Sequence, residues 1–229
     1  MPIKSMDERT VARAPAGPDG LLLLAPGCAH CPVVLEGLTR LVKEGRLGRL
    51  EVVNVAAYPE AAAAVGARSV PWARIGPFEL EGTYSPAELR HWTEHAAAGT
   101  GMGDYLAHLL ETQRLPRAVA AVRAAPARLL DLVDLLDSPE TPMGARIGIG
   151  AVIEEMEGTD ALRAAVPALA ALTASPEPNV RADACHYLAL AGSAEAIPAV
   201  AALLDDPQPD VREIAAESLA LLGADAAPT

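Results

Sequence analysis

The stretch Gly27-Cys28-Ala29-His30-Cys31-Pro32 (GCAHCP) places two cysteines three positions apart with a histidine between them. The apolar run at residues 21–25 precedes this motif and indicates a buried strand. After the motif, a helical periodicity over residues 32–44 places four apolar residues on one face, namely Val34, Leu38, Leu41 and Val42. A C-x-x-C pair that follows a strand and opens a helix is typical of a thiol–disulfide site.

The chemistry of a helix N-terminus supports this interpretation. Its partial positive charge and free N–H groups stabilise a thiolate, here that of Cys28. Two intervening residues let the helical turn bring Cys31 into bonding range. The third cysteine, Cys185, lies at an apolar-periodic position near Ala184 and Leu188, so we expect it to be a buried core residue.

Further elements follow the motif in the first half of the chain. We predict a strand at 50–56, a short helix from Pro59, and a hairpin of residues 69–75 and 78–82. Ser85-Pro86-Ala87-Glu88 has the pattern of a capping box and predicts a helix to about residue 95. The first strand, helix and strand would form a right-handed βαβ unit.

Over residues 18–98 the chain resembles the thioredoxin and glutaredoxin superfamily. Val70-Pro71 lies about forty residues after the cysteines and just before a strand, where this superfamily carries its cis-proline, and Gly82 falls where its last strand commonly has glycine. A proline directly after the second cysteine, here Pro32, is a further point in which the chain resembles glutaredoxin-like disulfide oxidoreductases. The resemblance implies a loop at Pro71 that faces the disulfide and receives the backbone of a client protein.

The resemblance also assigns roles to site residues. It implies Cys28 as the nucleophile and Cys31 as the resolving thiol. Val70 lies in the client-binding loop, and Trp72 either lines the client groove or belongs to the core. His30 occupies the position where the more oxidising members, such as protein disulfide isomerase, carry histidine, and it is expected to stabilise the Cys28 thiolate.

Two positions depart from the superfamily pattern. Gly27 stands where a tryptophan usually precedes the first cysteine, and Leu22 replaces the buried acid of thioredoxins. That acid assists proton transfer at the second thiol, so Leu22 argues against efficient thioredoxin-style reduction.

The second half of the chain contains an internal repeat. Residues 175–192 and 206–223 align with an offset of 31 residues, and 137–158 is a more degenerate copy. Apolar helices are predicted before the three copies, at 129–136, 162–172 and 197–204. The matched phrase, D-P-x-P-x-V-R followed by apolar residues, resembles the HEAT-like repeats of phycobilin-lyase-type proteins. The resemblance implies helix pairs stacked in an α-solenoid, because one pair cannot bury its apolar face alone.

Several finer predictions concern these repeats. Helices at 105–112 and 116–123 would form a pair that joins the array to the first domain. Arg181 and Arg212 are expected to form ion pairs with aspartates of neighbouring repeats. The second helices start near prolines, with Asp137, Asp206 or Asp210 as candidate N-caps. The sequence thus predicts a leader at 1–17, a thioredoxin-like domain at 18–98, a linker at 99–103, and a HEAT-like domain of about three repeats plus the joining pair at 104–229.

Charge and hydropathy restrict the partners. Residues 1–100 hold ten Lys and Arg against eleven Asp and Glu, a net charge of −1, whereas residues 101–229 hold eight Arg against nineteen Asp and Glu, a net charge of −11. Nucleic-acid binding, which needs clustered cations, is therefore not expected, and a basic protein partner is. No apolar run approaches the roughly 20 residues of a membrane span, and no signal peptide is evident, so a cytoplasmic location is expected.

The predicted function is that of a thiol–disulfide oxidoreductase acting on a protein client that the HEAT-like repeats select. No G-x-G-x-x-G motif indicates a nicotinamide or flavin site, so no cofactor is expected and electrons would come from an external thiol or protein reductant. One alternative is a non-catalytic adaptor whose cysteines form a redox switch. Another is Zn²⁺ or Cu⁺ binding by Cys28, His30 and Cys31, although no second ligand pair completes a zinc site. His91 and His95, spaced i, i+4, are expected to be solvated rather than metal-bound.

Overall fold

The computed structural model describes residues 17–223, which divide into two compact units that meet in sequence between Gly101 and Met102. The predicted leader lies outside the described residues except for Gly17. The prediction of a mixed α/β unit followed by an all-helical unit is confirmed.

The described part of the first unit, residues 17–101, contains four strands and three helices. In chain order they are β1 (Asp19–Leu24), α1 (Cys31–Lys43), β2 (Arg49–Asn54), α2 (Pro59–Val65), β3 (Trp72–Ile75), β4 (Phe78–Glu81) and α3 (Pro86–Ala98). This order matches the one predicted from the sequence, with boundaries shifted by at most three residues.

The four strands form one sheet with the order β2-β1-β3-β4. Strand β1 runs parallel to β2 and antiparallel to β3, and β3 pairs antiparallel with β4. Leu22 in the central strand therefore lies opposite Val52 on one side and Ala73 on the other. Because α1 connects two parallel neighbours, β1, α1 and β2 form the predicted βαβ unit.

Helix α1 buries three of the four apolar residues assigned to its inner face, Val34, Leu38 and Leu41. Val42 was also predicted to face the core, but its side chain is 36% exposed. Eight residues separate Val42 from Val34, which rotates it about 80° around the helix to the edge of the apolar stripe.

Helix α3 begins with the predicted capping box. The Ser85 hydroxyl accepts from the Glu88 N–H at 3.3 Å, and the Glu88 carboxylate accepts from the Ser85 N–H at 2.7 Å. Trp92 is buried and packs against Phe78 with ring centroids 5.2 Å apart.

The regular elements of the second unit, over the described residues 102–223, are all helices. They are α4 (Met102–Glu111), α5 (Leu115–Ala124), α6 (Arg128–Leu136), α7 (Met143–Glu154), α8 (Asp160–Ala164), α9 (Val166–Leu172), α10 (Pro178–Ala191), α11 (Ile197–Ala201) and α12 (Pro209–Leu221), with 3₁₀-helices at Ala194–Ala196 and Ala202–Asp205. Helix α10 packs against α7, α9 and α12, which gives the stacked arrangement that the repeats imply.

Two of the predicted repeat helices are interrupted. The helix expected at 162–172 is split into α8 and α9 at Ala165, because Pro167 lacks an N–H group and its ring opposes a continuous helix. The helix expected at 197–204 is α-helical only to Ala201 and then tightens into a 3₁₀-helix.

The aspartates near the second helices do not act as N-caps. The N-cap residues are Pro142, Glu177 and Gln208, and none of them makes a side-chain capping bond. Asp206 is instead buried, where it accepts from the Gln208 N–H at 2.9 Å and pairs with a guanidinium. The prediction that these aspartates cap the helices is therefore wrong.

That guanidinium belongs to Arg181, and the predicted inter-repeat ion pair is confirmed. Its Nε and second terminal nitrogen donate to the two Asp206 oxygens at 2.7 and 2.9 Å. Arg212 differs from the prediction, since it donates to the main-chain carbonyl oxygens of Asp206 and Pro207 rather than to an aspartate side chain. None of the helices in the described range, residues 17–223, is long and apolar enough to cross a membrane.

Candidate active site

A tight turn connects the central strand to the cysteine motif. The Cys28 N–H donates to the Ala25 carbonyl at 3.3 Å, and Gly27 inside this turn has a φ of +78°. Glycine adopts such left-handed backbone angles without steric penalty, whereas a side chain would be strained. Gly27 therefore allows the chain to reverse directly from β1 into the motif.

Cys28 and Cys31 form a disulfide, with their Cα atoms 5.5 Å apart. Cys28 is half-buried in the turn, whereas Cys31 is the first residue of α1 and is only 4% exposed. The two sulfurs are therefore not equivalent, because only that of Cys28 is open to an incoming group.

The N-terminus of α1 is directed at the more exposed sulfur. The Cys31 N–H donates to the Cys28 Sγ at 3.2 Å. The first turn of α1 carries no acidic residue, and Arg40 and Lys43 lie in its last turn. Both the amide and the helix dipole therefore favour negative charge on Cys28 once the disulfide is opened.

A loop from elsewhere in the chain faces the same sulfur. The peptide bond between Val70 and Pro71 is cis, as the resemblance implies. The Val70 carbonyl oxygen lies 3.7 Å from the Cys28 Sγ, although 42 residues separate the two in sequence. The fold thus brings the loop predicted to receive a client beside the sulfur predicted to react with it.

Two hydrogen bonds hold this loop to the end of strand β4. The Gly82 N–H donates to the Pro71 carbonyl at 2.9 Å, and the Ser69 hydroxyl donates to the Glu81 carboxylate at 2.8 Å. Sequence reasoning did not identify Ser69 or Glu81 as site residues. Their proximity follows from the β3–β4 register, which places Trp72 opposite Glu81.

Comparison with family models separates the two halves of the chain. Residues 21–94 match the model of a thioredoxin domain, and residues 165–229 match that of HEAT repeats. The chain joins a thioredoxin-like domain to HEAT repeats. A search of curated proteins gives no significant match. The thioredoxin-domain match includes both cysteines and the Val70–Pro71 loop.

The remaining predicted residues of the thioredoxin-like domain lie in different environments. His30 is the N-cap residue of α1, and its exposed side chain makes no capping bond. Trp72 is 0% exposed, so of its two predicted roles burial favours the core, and its Nε1 has no hydrogen-bond partner within residues 17–223. Leu22, at the position of the buried acid, is a fully buried residue of β1.

No group of three or more His, Cys, Asp or Glu residues in the described part of the chain is arranged to hold a metal ion. His91 and His95 lie together on α3 with ring centroids 4.4 Å apart. The Nδ1 atom of His95 is 3.1 Å from the Thr100 hydroxyl oxygen.

Proposed function

We propose that this protein is a thiol–disulfide oxidoreductase in which Cys28 and Cys31 exchange electrons with a protein client that the HEAT repeats select. The observation that carries the proposal is the asymmetry of the pair. Cys28 is half-buried, receives the Cys31 N–H and faces the Val70 carbonyl, whereas Cys31 is buried. A reactive sulfur beside a shielded resolving sulfur is the arrangement that disulfide exchange requires.

Oxidation of a client begins with the disulfide. A client thiolate attacks the Cys28 Sγ, the bond between Cys28 and Cys31 breaks, and Cys31 leaves as a thiolate that takes up a proton. The client's second thiolate then attacks the client sulfur of this mixed disulfide. Cys28 leaves as a thiolate, which the Cys31 N–H stabilises, and two electrons have passed from the client dithiol to the pair.

The reverse direction reduces a client. The Cys28 thiolate attacks a client disulfide, and Cys31 then attacks Cys28 to release the reduced client. An external thiol or protein reductant must afterwards return two electrons to the pair. We place this cycle in the cytoplasm, where glutathione and thioredoxin systems supply such electrons.

The loop at Val70–Pro71 and the exposed His30 complete the proposed site. The Val70 carbonyl, close to Cys28, can accept a hydrogen bond from the main chain of an extended client. His30, one residue before Cys31, adds a polar or cationic group that stabilises the Cys28 thiolate. A more stable thiolate favours the dithiol form and makes the disulfide a stronger oxidant.

Client selection is assigned to the HEAT repeats. Arrays of this kind form extended surfaces for binding other proteins. The net charge of −11 over residues 101–229 favours a basic client. Binding that depends on this charge should weaken as salt is added, and binding unaffected by salt would contradict the basic-client proposal.

The decisive test is a redox titration of the full chain in glutathione buffers, with alkylation and mass detection of Cys28 and Cys31. We expect a reversible two-electron couple. A potential near about −270 mV would indicate a reductant, and one of about −120 to −180 mV an oxidase or isomerase. Failure to form the intramolecular disulfide reversibly would overturn the enzyme proposal and leave the adaptor function in its place.

A further inference from the structure

A groove of ≈ 870 Å³ lies between α7 and α10 in the helical unit. The buried part of its lining includes Val180 and Tyr187 of α10. Met143 and Ile147 of α7 form the exposed part. Its size is within the range of about 300–1,000 Å³ that is typical of ligand sites.

The apolar side of the groove is unusually exposed. Met143 and Ile147 are 70% and 69% exposed, and they lie four residues apart on one face of α7. The opposite face of the helix is already used for packing, since Ala145, Ile149 and Val152 are buried. Adjacent large apolar side chains left open to water are a common feature of interaction sites.

The charged residues in the groove are mostly acidic. Asp137, Glu177 and Asp183 line it, and Arg146 is the one cation that lines it within residues 17–223. The Arg146 guanidinium is engaged with the protein itself, because it donates to three main-chain carbonyl oxygens, those of Leu136, Ser138 and Thr141. The groove therefore presents more negative than positive charge to a partner.

Tyr187 adds a polar group to the groove. Its side chain lines the groove and is 6% exposed, yet its hydroxyl has no hydrogen-bond partner within residues 17–223. The ring lies over α7, where a Cβ at Gly150 would be 2.7 Å from the hydroxyl oxygen. Although the residue as a whole is buried, its hydroxyl oxygen remains open to water and can accept a hydrogen bond from a partner's N–H group.

We propose that this groove binds a protein segment that presents an apolar side chain next to an arginine or lysine. The apolar side chain would cover Met143 and Ile147, and the cation would pair with Asp183 and donate to the Tyr187 hydroxyl. This rests on the proposed function only in identifying the bound segment as part of the disulfide client. It deepens that function by stating the chemistry by which a client is recognised.

Charge complementarity favours such a partner over a second copy of the chain. Residues 101–229 hold eight Arg and nineteen Asp and Glu, so two copies would repel each other through these units. The same repulsion disfavours a nucleic acid. A basic segment gains from both the carboxylates and the unpartnered hydroxyl.

Methyl NMR of the full chain, labelled at Met and Ile methyl groups, provides the test. The probe is the peptide acetyl-Gly-Ser-Arg-Leu-Arg-Gly-Ser-amide, and the matched control replaces both arginines with glutamate. We expect saturable shifts of the Met143 and Ile147 methyl signals with the arginine peptide, weakened by 0.5 M NaCl, and an unmoved Ile75 signal. No shift at about 1 mM peptide, or equal binding of the glutamate peptide, would overturn the proposal.

Variants locate the site. Ile147→Ser, Asp183→Asn and Tyr187→Phe should each weaken binding of the arginine peptide at least about threefold. The matched controls are Leu221→Ser and Asp210→Asn, two exposed residues of α12 that do not line the groove. Equal losses in the controls and the groove variants would show that general charge or hydrophobicity, and not this groove, binds the peptide.

The redox titration of the unmodified protein reports on the cysteine pair independently of the groove. Peptide binding without a reversible couple would overturn the oxidoreductase proposal and support the groove. A reversible couple without peptide binding would overturn the groove alone.

Discussion

The main-chain N–H of Cys31 lies 3.2 Å from the sulfur of Cys28, so the residue that resolves the proposed mixed disulfide also solvates the reactive sulfur. Cys31 can do both because it is the first residue of α1, with its amide free of intrahelical bonding and its side chain buried. The different roles proposed for Cys28 and Cys31 both follow from the position of Cys31 at the start of α1.

Replacing the resolving residue should trap the intermediate. With reduced Cys31→Ser and glutathione disulfide, we expect a stable glutathione adduct on Cys28, detected by intact mass. The reduced Cys28→Ser variant should form an adduct at least about tenfold more slowly, because Cys31 is buried. Equal rates for the two variants would contradict the assigned roles.

Loss of the histidine in the motif should make the pair a weaker oxidant. For His30→Ala we expect a reduction potential more negative by about 10–30 mV, which corresponds to about 0.5–1.4 kcal/mol of lost thiolate stabilisation. His91→Ala, which removes an exposed histidine from α3 of the same domain, is the control and should leave the potential unchanged. A potential unaffected by His30→Ala would remove this residue from the proposed site.

The buried pair between Arg181 and Asp206 should be a major stabilising contact of the repeats. Arg181→Met leaves the Asp206 carboxylate without its bidentate partner, so we expect a clear fall in the midpoint of urea unfolding. The control is Arg123→Met, because Arg123 pairs with Glu155 at the surface and should contribute less than about 1 kcal/mol. A similar fall in the unfolding midpoint of both variants would contradict the conclusion that the buried pair stabilises the fold more than the surface pair.

The same pair predicts a direction for acid sensitivity. The hydrogen bond from Arg181 is the main cause that lowers the pKa of Asp206 below its usual 3.8. A carboxyl group whose pKa is lowered by folding stabilises the fold above its unfolded pKa and loses that contribution as pH falls through the folded value. Unfolding below pH 4 should therefore be less steep in Asp206→Asn than in the unmodified protein, as measured by circular dichroism.

The thiol of Cys185 should be unreactive toward alkylating reagents at neutral pH, and its ionisation should destabilise the fold at alkaline pH. Burial is the main cause that raises the pKa of its thiol from 9.0 to about 11, with a further contribution from Asp206. Folding therefore favours the protonated thiol. Its contribution to the free energy of unfolding is present below pH 9 and is lost between pH 9 and 11. At pH 8 we expect iodoacetamide to label Cys185 only after the protein has been unfolded. Urea unfolding at pH 7 and 10.5 should show a larger loss in the unmodified protein than in Cys185→Ala.

The capping box of α3 offers a stability test within the thioredoxin-like domain. Ser85→Ala removes the hydroxyl that accepts from the Glu88 N–H and should cost about 1 kcal/mol of unfolding free energy. Thr83→Ala, two residues earlier and exposed, is the control and should change stability by less than about 0.5 kcal/mol. Urea unfolding monitored by tryptophan fluorescence measures both, since Trp72 and Trp92 lie in this domain.

Local sequence patterns predicted much of the fold because the signals were short-range. Capping residues, prolines and apolar periodicity located most helices, and the repeat of Val-Arg phrases identified the stacked pairs. The errors arose where long-range packing or a proline decided the outcome. Pro167 divided a predicted helix, and Asp206 was drawn into a buried ion pair instead of capping the next helix.

Local sequence patterns were enough to predict that Cys28 and Cys31 lie at a helix start and that a proline loop follows about forty residues later. Three features became known only from the folded chain: the Val70 carbonyl faces the Cys28 sulfur, Trp72 is buried, and the Ser69 hydroxyl reaches Glu81. These contacts depend on strand register and on which strands become neighbours. Hydrogen bonding and packing of the whole sheet determine both, and no short stretch of sequence encodes them.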